Sequence, residues 1–198
     1  MSNLIGIVNY GVAGNIHSIK KAIEKVKGNV IIIDSPEDFS RVDKLVIPGV
    51  GSFKGAMKEL NDDKFINAII NFDNPVLGIC LGMQIMAKFG FEYGKTKGLG
   101  LIDAEVKLIV CEDKIPHVGF NNINVLKENK LLKGLEDDEF YFMHSYEIIN
   151  HDNVVSTSTY SNYEFISSVQ KDNFFGVQFH PEKSREAGLN LFKNFIEL

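Results

Sequence analysis

The segment Val76-Leu77-Gly78-Ile79-Cys80-Leu81-Gly82-Met83-Gln84 runs an apolar stretch into G-x-C-x-G and on into residues at helical spacing. A cysteine at such a strand-to-helix bend is the thiol counterpart of the nucleophile elbow. The bend crowds neighbouring backbone, so positions 78 and 82 need glycine, and it is expected to lift the sulfur out of the sheet towards solvent. A free thiol titrates near ~8.5, and the positive end of a following helix would favour the thiolate. Most free cysteines are small buried apolar residues. The flanking glycines set Cys80 apart, whereas Cys111, in Ile109-Val110-Cys111-Glu112, lacks this context and reads as structural.

A thiolate that attacks an acyl carbon needs a group to take and return protons, usually a histidine held by a carboxylate. Among five histidines, His180 stands at the exit of an apolar run in Gly176-Val177-Gln178-Phe179-His180-Pro181-Glu182-Lys183-Ser184. Chemistry in α/β folds collects at strand ends. Glu182, two residues on, can orient the ring through one nitrogen. Alone, H-x-E also suits half of a metal site or a surface turn; with Cys80 in the same chain, the catalytic reading is favoured. His144 and His117 lie beside strands and suit substrate or interface contact, while His17 and His151 read as surface residues. No closely spaced Cys and His set points to zinc, and neither a metal nor a cofactor is expected.

Acyl transfer also needs donors for a developing oxyanion. The amide of Leu81, next after the cysteine, is one. Ile47-Pro48-Gly49-Val50-Gly51-Ser52-Phe53, an apolar run ending in a glycine-bracketed loop, offers a second, though an ordinary turn would look the same. That loop lacks the G-K-[ST] ending of a phosphate loop; Gly94–Gly98 and Gly11–Gly14 also fail phosphate-loop and dinucleotide templates and read as turns.

Apolar runs at Leu4–Asn9, Val30–Ile33, Lys44–Ile47 and Val76–Ile79 read as strands, with a helical pattern over Ile16–Val26 and another through Leu81, Ile85, Met86 and Phe89. The second half is strand-rich: Glu105–Val110, Phe120–Val125, Phe140–Tyr146, Val154–Tyr160, Phe165–Gln170 and Phe174–Phe179. A last helix spans Glu186–Phe195, with Leu189, Phe192 and Ile196 on one face. The fold class is therefore α/β: a mostly parallel central sheet flanked by helices, with antiparallel strands in the C-terminal half, extending that sheet or forming a small one beside it. One domain is expected over residues 1–198.

Net charge is −5, from 21 basic and 26 acidic residues. No concentrated basic stripe suggests nucleic acid, and no apolar run approaches the ~20 residues that cross a bilayer. Two cysteines are too few for a disulfide framework, so a cytoplasmic setting is expected.

Taken together, Pro48-Gly49-Val50-Gly51-Ser52-Phe53, Gly78-Ile79-Cys80-Leu81-Gly82-Met83-Gln84 and Gln178-Phe179-His180-Pro181-Glu182-Lys183-Ser184 resemble, in order and spacing, the class I (triad) glutamine amidotransferases. The resemblance spans essentially the whole chain. The short chain, with Asn9-Tyr10-Gly11, Gly14-Asn15, Pro116–Asn121 and Tyr141–Tyr146, is most similar to the glutaminase subunits of imidazole glycerol phosphate synthases. It implies hydrolysis of L-glutamine to glutamate and ammonia through a Cys80 thioester. His180 would shuttle the proton and Glu182 would orient it. Val50, Gly51 and Leu81 would bind the oxyanion, and Gln84, Glu92, His144, Ser145 and Tyr146 would hold the amino-acid end of the substrate. Ammonia would pass to a (β/α)8-barrel cyclase making imidazole glycerol phosphate and AICAR in histidine biosynthesis, docked over Tyr10, Asn15, His117, Phe120, Asn121 and Lys183.

Departures from the family pattern include Asn9 for aspartate, one extra residue in Gly11–Gly14, Phe120 for tryptophan, and Phe91-Glu92-Tyr93-Gly94 for a Ser-Glu-Glu-Gly type segment. They cluster on the partner-facing side, so a second reading stands beside the first: ammonia supply for amidation of a bacterial surface sugar. A cysteine peptidase or a related hydrolase on a similar elbow, and a non-catalytic scaffold, are the readings of other classes.

Overall fold

Residues 3–11, 14–149 and 152–198 are described by the structure, a computed structural model. The chain opens with β1 (Leu4–Val8), α1 (Ile16–Lys25), β2 (Asn29–Ile33), a 3-10 turn (Pro36–Arg41), β3 (Lys44–Ile47), α2 (Phe53–Glu59), α3 (Asp63–Ile70), β4 (Val76–Ile79) and α4 (Leu81–Gln84). There follow β5 (Ala87–Gly90), β6 (Thr96–Lys97), β7 (Ile102–Leu108), β8 (His117–Asn122), β9 (Asn124–Val125), β10 (Glu139–His144) and β11 (Tyr146–Ile149). It closes with β12 (Val154–Tyr160), β13 (Tyr163–Lys171), β14 (Phe174–Val177), a 3-10 turn (Pro181–Lys183) and α5 (Arg185–Glu197).

An eight-stranded sheet in the order β2-β1-β3-β4-β14-β13-β12-β9 forms the frame. Its first five strands are parallel and the rest antiparallel. Short apolar strands suit this position because both faces are covered. Ile5, Ile7, Val46, Leu77, Ile79 and Val177 pack with Ile19 and Ile23 of α1 and Leu191, Phe192 and Phe195 of α5. Val8, Leu45, Ile47 and Val76 pack with Phe53 of α2 and Phe65 and Ile69 of α3. The Ser52 hydroxyl accepts from the Gly55 amide at 3.2 Å and the Asp62 carboxylate from the Lys64 amide at 2.8 Å, so both intervening helices start on capped ends.

Antiparallel strands occur both as an extension of the frame and beside it, as a β10-β8 ribbon and within a mixed four-stranded β11-β7-β5-β6 sheet whose β5 and β7 run parallel. Two expectations need correction. The helical pattern after Cys80 ends at Gln84, and Ala87–Gly90 is a strand paired with β6 and β7; a short apolar run does not distinguish a buried helix turn from a strand. The last helix buries Ala187, Gly188, Leu191, Phe192 and Phe195, while Leu189 and Ile196 flank that face half-buried. Among the described residues no helix is long and apolar enough to cross a membrane.

Candidate active site

Strands β3, β4 and β14 lie side by side and parallel, with Ile47 beside Gly78 and Ile79 beside Val177. Their carboxyl ends therefore deliver the Pro48–Gly51 loop, Cys80 and the Gln178–His180 segment to one place. The Cys80 amide donates to the Val177 carbonyl at 2.8 Å, and Cys80 takes φ +52° and ψ −110°. A side chain there is strained by ~1–3 kcal/mol, as is common at functional sites. The bend is also crowded. A Cβ on Gly82 would lie 1.9 Å from the Ile47 carbonyl oxygen, and one on Gly78 would lie 2.8 Å from Gly82 backbone.

The sulfur is not raised into solvent, as the bend alone suggested. Cys80 is 7% exposed and lines a cavity of about 180 Å³ with Val50, Gly51, Leu81, Gln84, Glu92, Pro116, Met143, His144, Ser145, Tyr146 and His180. This is room for one amino-acid-sized ligand, below the ~300 Å³ at which drug-sized sites begin. Because α4 is a single turn, its dipole helps the sulfur little. What stands against the sulfur instead is the His180 ring and the side-chain amide of Gln178, whose Nε2 donates to Sγ at 3.6 Å.

His180 Nδ1 lies 2.9 Å from Glu182 Oε1, and both side chains are closed to solvent. Asn15 Nδ2 donates to the same carboxylate oxygen at 3.0 Å. The histidine backbone is clamped to β10: its amide donates to the Tyr141 carbonyl at 2.8 Å, while the Ser184 hydroxyl accepts from the Tyr141 amide and donates to the His180 carbonyl. Burial alone would lower the imidazole pKa. The charge of a Cys80 thiolate, with Glu182 behind, outweighs it and pushes the pKa up to about 10. His180 Nε2 makes no formed hydrogen bond, to Cys80 or any other described group. That nitrogen is left open to a bond that bound substrate can tighten. A histidine beside a cysteine and backed by a carboxylate is equipped for nucleophilic attack and proton return.

The loop residue Gly51 sits at φ +101° with open space around it, so backbone conformation rather than crowding calls for glycine. Leu81 opens α4, and its amide, like any first helical N–H, has no partner within the helix. Glu92 holds its Oε2 2.7 Å from the Phe53 amide at the start of α2. His144 Nδ1 lies 3.0 Å from the Tyr146 carbonyl, which ties the ring to the backbone two residues on. Gln84 is bound within the protein: its Nε2 donates to the Tyr146 carbonyl at 2.9 Å and to Gln178 Oε1 at 3.0 Å.

Three residues expected on a docking surface are buried in the chain itself. Tyr10 is 5% exposed and its hydroxyl donates to the Pro48 carbonyl. Asn15 is spent on Glu182. His117 stacks on Tyr160 and Phe142, with Nδ1 3.4 Å from His144 Nε2. The family resemblance implied that surface for each, but partners distant in sequence enclose them. Phe120 and Asn121 are half-buried and Lys183 is exposed, while His17 is exposed and His151 lies outside the described residues. Gln178 was not singled out. A polar residue closing an apolar run, two positions before His180, was the available signal. Among the described residues no group of three or more His, Cys, Asp or Glu could hold a metal.

Fold and site define a class: α/β proteins that present cysteine, histidine and carboxylate at the carboxyl ends of neighbouring parallel strands. The chain belongs to the glutamine amidotransferase class-I family, which it matches over residues 7–198. It is 43% identical over 203 residues to imidazole glycerol phosphate synthase subunit HisH 1 of Campylobacter jejuni (strain RM1221), covering 98% of this chain and 100% of the relative. It is 40% identical over 205 residues to subunit HisH of the imidazole glycerol phosphate synthase of Geobacillus sp. (strain WCH70), covering 98% and 97%. PurLQS from Thermotoga maritima shares the fold with a TM-score of 0.78 at 17% identity, over 100% of this chain and 99% of the other. A glutamine amidotransferase crystal structure does so at 0.75 and 16% identity, over 98% and 99%.

Proposed function

We propose that this chain is the glutamine-hydrolysing subunit of an imidazole glycerol phosphate synthase, acting through Cys80, His180 and Glu182. The observation that carries the reading is the closed His180–Glu182 pair beside Cys80 on a cavity sized for one amino acid. The thiolate attacks the carboxamide carbon of glutamine, and the C–S bond forms as the carbonyl oxygen takes negative charge. Amides of Leu81 and of the Val50–Gly51 peptide receive that charge. His180 gives its proton to the leaving nitrogen, the C–N bond breaks, and ammonia departs from a glutamyl thioester. Neutral His180 then takes a proton from water, whose oxygen displaces the sulfur to give glutamate and regenerate the thiolate. Glu182, held by Asn15, keeps the ring oriented throughout. Glu92, Gln84, His144, Ser145 and Tyr146 grip the amino-acid end of the substrate, Glu92 supplying a carboxylate for the ammonium.

The ammonia passes to a (β/α)8-barrel cyclase. The outward face of the β8–β10 ribbon supports docking beside the cavity. Val118 and Met143 pair across the ribbon and are 53% and 37% exposed. Phe120 pairs with Tyr141, with Arg185 over the first ring at 4.3 Å and Lys183 over the second at 5.5 Å. Exposed apolar side chains rimmed by cations mark interaction surfaces. The names of the relatives favour this acceptor over a surface sugar.

The test is synthesis by the assembled complex with Cys80→Ser. Glutamine-dependent synthesis should be lost while synthesis from added ammonium persists. Undiminished glutamine use would remove Cys80 from the reaction, and loss with ammonium as well would give it a structural role.

A further inference from the structure

Gln178 is fully buried, and an amide without partners there would be costly. Its two ends do different things. Gln84 Nε2 donates to the Tyr146 carbonyl, which can only accept, so the atom that Gln84 turns to Gln178 is a donor. The Gln178 atom facing it must then be the carbonyl oxygen. This settles the amide orientation, which shape alone leaves open, and aims Nε2 at the Cys80 sulfur at 3.6 Å.

We propose that Gln178 is a positioning residue for the nucleophile: its locked amide donates to the Cys80 sulfur, and Gln84 and the Tyr146 carbonyl hold that amide in place. The donor favours the thiolate over the thiol. The same chain of contacts ties the sulfur to Gln84 on the cavity wall, so the grip on the substrate and the setting of the nucleophile share one side chain. The inference rests on Cys80 as the nucleophile. Other titratable groups around the sulfur are His180, His144, Glu92 and Tyr146 in the cavity and Tyr10 of the β1 loop, so the comparison is between variants and not with a free thiol.

The experiment is the rate of Cys80 alkylation by iodoacetamide across pH 5–10, read by mass on the Cys80 peptide to exclude Cys111. Full-length wild type, Gln178→Leu and Gln84→Leu are compared, with thermal melts as a check on folding. Gln178→Leu should raise the midpoint by about one pH unit, which makes alkylation about tenfold slower below it. Gln84→Leu, though it does not touch the sulfur, should shift the midpoint the same way by less, and the double variant should add nothing to Gln178→Leu. A wild-type midpoint in folded Gln178→Leu overturns the proposal. Where that variant does not fold, an unshifted midpoint in Gln84→Leu overturns it. Glutamine hydrolysis surviving Cys80→Ala would instead sink the nucleophile reading beneath it.

Discussion

His180 Nδ1 and Glu182 Oε1 are 2.9 Å apart with both side chains closed to water. Cys80 on the other side of the ring, with Glu182 behind it, makes stability depend on alkaline pH. The folded imidazole titrates near about 10, above the ~6.5 of an unfolded histidine. Its contribution is complete below the unfolded value and lost as pH rises through the folded one. Urea unfolding should therefore show stability declining between neutral pH and pH 10; Cys80→Ala, which removes the larger cause, should flatten the decline most, and Glu182→Gln should flatten it in part. A wild-type profile level over that range would contradict the raised imidazole pKa.

The His117–His144 pair predicts the opposite limb. Burial pushes each down to about 4, so both are neutral in the fold where the unfolded chain binds protons. Stability from this pair is present above ~6.5 and is lost as pH falls towards the folded values. His117→Phe, which keeps the stack on Tyr160 and Phe142, should make acid unfolding less steep. An unchanged acid limb would show that the pair does not drive it.

Two glycines should fail differently. Gly82→Ala forces a methyl against the Ile47 carbonyl oxygen and should cost more than ~4 kcal/mol or prevent folding. Gly51→Ala meets open space and should cost only ~1–2 kcal/mol through its backbone angle, while slowing glutamine hydrolysis. Denaturant melts and kinetics separate the two cases; equal destabilisation would remove the distinction between crowding and backbone angle.

Val118→Asp should leave the melting temperature of the isolated chain unchanged, because the side chain is more than half exposed. Binding to the synthase partner, measured by calorimetry, should weaken at least ~10-fold, a charge now facing an apolar contact. Wild-type affinity would move the docking surface elsewhere.

What sequence reading captured was local. The bend around Cys80 and the short H-P-E stretch are legible because their chemistry and backbone demands fall within a few residues. Strands β3, β4 and β12 were legible to their end residues for the same reason. Gln178 escaped notice because its meaning depends on Gln84, 94 positions away. The burial of Tyr10, Asn15 and His117 was not legible because the Pro48 carbonyl, Glu182 and the Tyr160 ring that enclose them lie far along the chain. Ala87–Gly90 joins a sheet only because β7 and β6 flank it, and nothing in its own four residues announces that.

On β10, His144 is buried against the cavity while its neighbour Met143, at the cavity's edge, is 37% exposed, and the cross-strand partners His117 and Val118 divide into buried and exposed in the same way. A slip of one position on this ribbon would exchange the two sets outright. Inserting or deleting a single residue in either strand would therefore damage substrate grip and subunit association in one stroke.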